Sequence, residues 1–125
     1  MLNLADLIDS LPLQIQLSVC GKEYLLAHAM TSYPPVMRSK DYYLMGNRNL
    51  DLFFLEGMEG YISCCGHTPT ANIIWKTGEM YLDKPQNSIW TNEQQNVVIM
   101  DCGSGFFGGR LACMCLETGE RFYSQ

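Results

Sequence analysis

The residues best suited to chemistry in this chain are two histidines, His28 and His67. Each stands where an apolar, strand-like run ends: Leu25-Leu26-Ala27 precedes His28, and Ile62 to Cys65 precede Gly66-His67. Side chains at strand ends project from a rigid scaffold into crevices where ligands collect. Neutral imidazole is a good ligand for zinc or iron and also serves manganese. Two such rings converging on one cation would form part of a metal centre. The other reading is that each is a hydrogen-bonded, partly buried histidine. Gly66 is placed to let the backbone turn sharply before His67, and Pro69 to stiffen the loop beyond it.

Other chemistry-bearing groups carry less. Cys64 and Cys65 lie close to His67 in sequence, but neighbours on a strand point to opposite faces and no third group orients a nucleophile. The six cysteines form only CC and CxC patterns, whereas a cysteine zinc site wants two CxxC-like knuckles. Cys113 and Cys115 are spaced to share one face of a strand, where thiols act as small hydrophobes. Gly103-Ser104-Gly105-Phe106-Phe107-Gly108 spells a dinucleotide fingerprint, yet a strand-like GRLACMCLE follows where a helix is required. A glycine-rich strand connection is expected there.

Several elements must position these residues. Leu4, Leu7, Ile8 and Leu11 recur at helical spacing, with Asn3 as N-cap and Pro12 as terminator, so a short helix should dock its apolar face on the domain. Leu13 to Val19 alternates as a half-buried strand, Cys20-Gly21-Lys22 turns, and Glu23 to Ala27 returns. Thr31 to Lys40, containing Pro34-Pro35, reads as a loop and Leu50 to Leu55 as a helix. Tyr61 to Cys65 is a buried strand; Asn72 to Trp75 and Glu79 to Leu82 are weaker strands. Ser88 to Thr91 and Val97 to Met100 form a hairpin around Asn92 to Asn96. Arg110 to Leu116 and Arg121 to Tyr123 form another around Thr118-Gly119. The sum is an α+β, β-rich single domain over residues 1–125.

Composition narrows the function classes. With 125 residues, 47% hydrophobic and 17% charged, the chain suits one folded domain. A formal charge of −5 disfavours a nucleic-acid or anionic-membrane surface. The longest wholly apolar run, Leu111 to Leu116, is far shorter than the roughly 20 residues of a membrane span. The start MLNLADLIDSLPL lacks the basic region of a secretory signal, so free thiols in a reducing cytoplasm are expected.

GHTPTANIIW, read with SIWTNEQQNVVIMDCGSGFFGGRLACMCLETGERFY and GKEYLLAHAM, resembles the carboxyl-terminal part of calcineurin-like metallophosphoesterases. The closest likeness is to the bacterial and phage branch of the serine/threonine phosphoprotein phosphatases, and it runs from about Leu13 to Tyr123. The resemblance implies the C-terminal half of a β-sandwich with flanking helices. It also implies two divalent ions (manganese, iron or zinc) about 3.5–4 Å apart that activate a water and clamp a phosphate. It makes His28 and His67 two ligands of one metal. Arg48, in YYLMGNRNLD, falls where the family often has an arginine gripping the substrate phosphate, although a solvated surface arginine is equally compatible. The resemblance gives Asp101 no metal role, leaving it as a turn former.

The same resemblance exposes what is missing. The family's Asp-Xaa-His, Gly-Asp-Xaa-Xaa-Asp and Gly-Asn-His-Asp/Glu motifs do not occur; Gly46-Asn47-Arg48 matches only two letters of the last. Without those carboxylates two dications would repel strongly, and no acid protonates a leaving group. Met1 falls near mid-domain of the family pattern, so a fragment, a truncated frame or half of a split protein is expected. Such a chain would expose an apolar face and should form a homodimer or join a partner supplying the other half. A non-catalytic β-rich remnant or partner-binding module is the alternative.

Overall fold

The computed structural model describes residues 3–46, 55–71 and 87–125. The alternating segment forms β1 (Gln14–Val19), and β2 (Lys22–Ala27) returns antiparallel to it, pairing Ile15 with Leu26 and Leu17 with Tyr24. The connection is a two-residue turn, Cys20-Gly21, with φ of 47° and 74°. Two successive positive-φ residues give the backbone twist that a tight hairpin needs, and glycine adopts it without steric cost.

Next to β2 lies β3 (Ile62–Cys65), and next to β3 lies β5 (Val97–Ile99), both in parallel register. The short β4 (Trp90–Thr91) closes the far edge antiparallel to β5. The result is a mixed five-stranded sheet in the order β1-β2-β3-β5-β4. A second, two-stranded sheet comprises β6 (Ala112–Met114) and β7 (Arg121–Tyr123). Together with two short helices, this is a strand-rich α+β fold. No helix among the described residues is long and apolar enough to cross a membrane.

Both faces of the central strands are covered. On one, Tyr24, Cys64 and Val98 cluster with Ile89 and Cys102, and Ala112, Met114, Leu116 and Tyr123 pack against them. Arg121 fastens β7 to β4, donating to the Ile89 carbonyl at 3.0 Å and to Thr91 Oγ1 at 2.7 Å. On the other face Leu25, Ser63, Cys65, Val97 and Ile99 are buried. The segment after β2 lies over them: Thr31 Oγ1 donates to Ser63 Oγ at 2.7 Å, and Tyr42 of α2 (Lys40–Met45) donates to the Thr31 carbonyl at 2.8 Å.

The turn at Asn92 to Asn96 is held by one buried amide. Asn92 Oδ1 accepts from the backbone N–H of Asn96 and Val97 at 2.9 and 3.0 Å, and its Nδ2 donates to Asn96 Oδ1 at 2.7 Å. Asn92→Ala leaves those two N–H groups without their acceptor and should cost about 2–4 kcal/mol. Equilibrium urea unfolding would measure it, and a loss below about 0.5 kcal/mol would contradict the role given to this side chain.

Three expectations need correction. The helix α1 (Leu4–Ser10) forms with Asn3 capping Asp6 N, but its apolar stripe does not dock: Leu4 is 72% exposed and Leu7, Ile8 and Leu11 about half. The same holds for β1, where Ile15 and Leu17 are exposed rather than half-buried. The physical reason is reach, because the β6–β7 hairpin covers the centre of the sheet and β1 is its edge. Cys113 and Cys115 are not core thiols either. Cys113 pairs with exposed Phe122 on the outer face of the small hairpin, and Cys115 Sγ donates to Glu117 Oε2 at 3.1 Å. Of the expected elements, Asn72 to Trp75 and Glu79 to Leu82 lie outside the described residues, as does Leu50 to Leu55 except its last residue.

Candidate metal centre

Parallel pairing of β2 and β3 is what brings the two histidines together. Leu26 is level with Cys64, so His28 is level with Gly66, and the Gly66 N–H donates to the His28 carbonyl at 2.8 Å. One residue further, His67 takes φ of 65°. That left-handed conformation is uncommon for a residue bearing a Cβ, and such backbone is retained where the surroundings enforce it. The sharp turn is therefore at His67 itself and not at Gly66. A Cβ on Gly66 would meet only ordinary contacts, 3.6 Å from the His28 carbonyl oxygen and 3.8 Å from Asp101 Cβ.

His28 Nε2 and His67 Nδ1 stand 3.1 Å apart, with ring centroids at 5.1 Å and planes inclined by 65°. Both side chains are exposed. At this separation one nitrogen donates its proton to the other. With metal–nitrogen bonds of about 2.0–2.1 Å, the same separation corresponds to a ligand–metal–ligand angle of about 95–100°. Such an angle lies between octahedral and tetrahedral values, so the pair suits two adjacent positions on one cation. Coordination requires the Nδ1–H tautomer of His28 and the Nε2–H tautomer of His67.

The donor set stops at two. Among the described residues, no group of three or more histidine, cysteine or acidic side chains gathers around a common point. Asp101, at the end of β5, directs Oδ1 to the Gly103 N–H at 2.9 Å and its carbonyl to the Thr70 N–H at 2.9 Å, which is the work of a turn former. Burial pushes the Cys64 thiol up to about 11 and the Cys65 thiol up to about 12. Neither offers a thiolate at neutral pH, and that removes the cysteine–histidine nucleophile. The residues present fit one cation's edge and do not fit a binuclear centre. Arg48 lies outside the described residues.

Sequence reasoning expected an exposed apolar face but did not place it beside His28. A groove of about 630 Å³ runs from Ile8 and Leu11 past Ile15 and Leu26 to His28. A second, of about 420 Å³, runs from His28 along Leu26 to Met100, Met114 and Leu116. The alternation of β1 and the stripe of α1 signalled apolar surface but not its place beside His28. The glycine-rich segment after Asp101 is a run of turns leading to β6, as its sequence indicated, with Arg110 donating to the Asn87 carbonyl from Nε and Nη2. No family model, curated protein or solved structure matches this chain.

Proposed function

We propose that this chain is the C-terminal part of a metal-dependent phosphatase that hydrolyses phosphate monoesters or phosphoproteins when complete. On its own it holds a single divalent cation between His28 and His67 and does not turn over substrate. The observation that carries this reading is the 3.1 Å approach of the two ring nitrogens, from separate strand ends, in a geometry suited to one ion. The likeness of GHTPT and its downstream segments to the metallophosphoesterases supports the reaction class and the half-sandwich architecture. In that class the metals activate water and bind phosphate, and Arg48 would grip the phosphate oxygens. The carboxylates and the acid for the leaving group must come from outside these residues. All six thiols are unpaired, in keeping with a reducing, cytoplasmic setting.

Isothermal titration with manganese and zinc, beside a p-nitrophenyl phosphate assay, tests the proposal. Binding is expected for the native chain and a loss of at least tenfold in affinity for His28→Ala and for His67→Ala. No hydrolysis is expected above background. Unchanged affinity in both variants would remove the metal centre. Turnover by the native chain that both substitutions abolish would overturn the claim of inactivity.

The uncovered apolar stripe of α1 favours the second reading, a partner-binding module without catalysis. Under it, neither histidine substitution would change metal affinity.

A further inference from the structure

We propose that zinc joins two copies of this chain, with His28 and His67 of each copy forming one four-histidine site on a two-fold axis. The inference rests on the reading of the pair as cation ligands and adds what completes the coordination. Closed zinc sites are four-coordinate and tetrahedral, built from nitrogen or sulfur donors. This chain presents two imidazole nitrogens 3.1 Å apart, and the described residues gather no third ligand around them. Two donors per copy is the number that a two-fold interface doubles to four, because a two-fold places the same patch on both subunits.

The surroundings suit a second copy. His28 sits where the two apolar grooves meet, sharing Leu26 and Ala27 with both. Beside it Ile8, Leu11 and Ile15 are 57%, 57% and 42% exposed. With the ion fixing the register through His28 and His67, a two-fold would bring these apolar side chains, which flank His28 together with the Lys40–Asp9 ion pair, toward their counterparts in the second copy. Both rings are exposed and reach the ion without rearrangement of the sheet. Each imidazole uses one lone pair and keeps its proton on the other nitrogen, so four neutral ligands bind Zn²⁺ with no net proton release and no redox change. The hydrogen bond between His28 Nε2 and His67 Nδ1 is replaced by two bonds to the metal.

Titration of the full chain with zinc, followed by light scattering and by visible spectroscopy of the cobalt-substituted form, tests this. The expected result is one zinc per two chains and a mass twice the 14.2 kDa of the monomer. EDTA should reverse the association, and cobalt should give the intense absorption of tetrahedral coordination. His28→Gln and His67→Gln, checked by circular dichroism, should remain monomeric in zinc. One zinc per chain without association overturns the bridge and leaves the histidine pair as ligands. No zinc uptake by the native chain overturns both readings. Dimers that persist in EDTA or in both variants overturn the bridge and assign pairing to the apolar grooves alone.

Discussion

Tyr43→Ala is expected to remove a large share of the fold's stability at room temperature. Tyr43 has no exposed surface and is among the largest fully buried side chains of the described residues. Its hydroxyl donates to Ser32 Oγ at 2.7 Å, since that serine in turn donates to the Val36 carbonyl, and it accepts from Arg38 N at 3.2 Å. Its carbonyl accepts from Ala29 N at 2.8 Å, the residue directly after His28. Removing the ring creates a cavity and takes the hydroxyl away from Ser32 Oγ and Arg38 N, for a loss of about 3–5 kcal/mol. Domains of this size have about 5–15 kcal/mol in total. Tyr43→Phe keeps the volume and should cost about 1–2 kcal/mol. Far-UV circular dichroism and urea titration read both effects. If Tyr43→Ala retained the native midpoint, the segment from Ala29 to Met45 would not be the cover that the sheet depends on. Because that segment leaves directly from His28, the variant should also lose metal affinity when refolded at low temperature.

What was legible in the sequence follows a physical division. Period-2 alternation and turn residues are local signals, so Gln14–Val19, Lys22–Ala27, the Asn92 turn and the hairpin around Gly119 were readable. Helical spacing likewise located Leu4–Ser10. Periodicity states that a face is apolar but not what covers it. The same signal therefore misassigned Leu7, Ile8, Ile15 and Leu17 to the interior, where only tertiary reach decides. The six-residue helix capped by Ser39 had too short a pattern to register. Strand-end positions marked His28 and His67 as candidates, but their adjacency depends on β2 and β3 pairing in parallel, a non-local fact that no spacing encodes. The positive φ at His67 was equally hidden, since a preceding glycine invites the wrong assignment.

Stability should drain away on the alkaline side through the buried thiol of Cys64. An ordinary thiol releases its proton near 9, whereas burial holds Cys64 protonated to about 11. Above pH 9 the unfolded chain therefore binds fewer protons than the folded one, and the free energy of unfolding falls as pH rises. The contribution is intact below about pH 9 and is lost progressively as pH rises through 11. Between pH 8 and 10.5 this amounts to about 2 kcal/mol for Cys64 alone. Cys65 moves in the same direction, and burial also pushes up the hydroxyls of Tyr24 and Tyr42. Urea midpoints at the two pH values, taken in EDTA to exclude metal, measure the total loss. Cys64→Ala isolates the share of one group: it should start less stable at pH 8 but lose about 2 kcal/mol less on alkalinisation. An identical alkaline loss in the native and Cys64→Ala chains would mean that this thiol reaches water in the folded state. The groove shared by Cys64, Leu26 and His28 would then admit water to its floor.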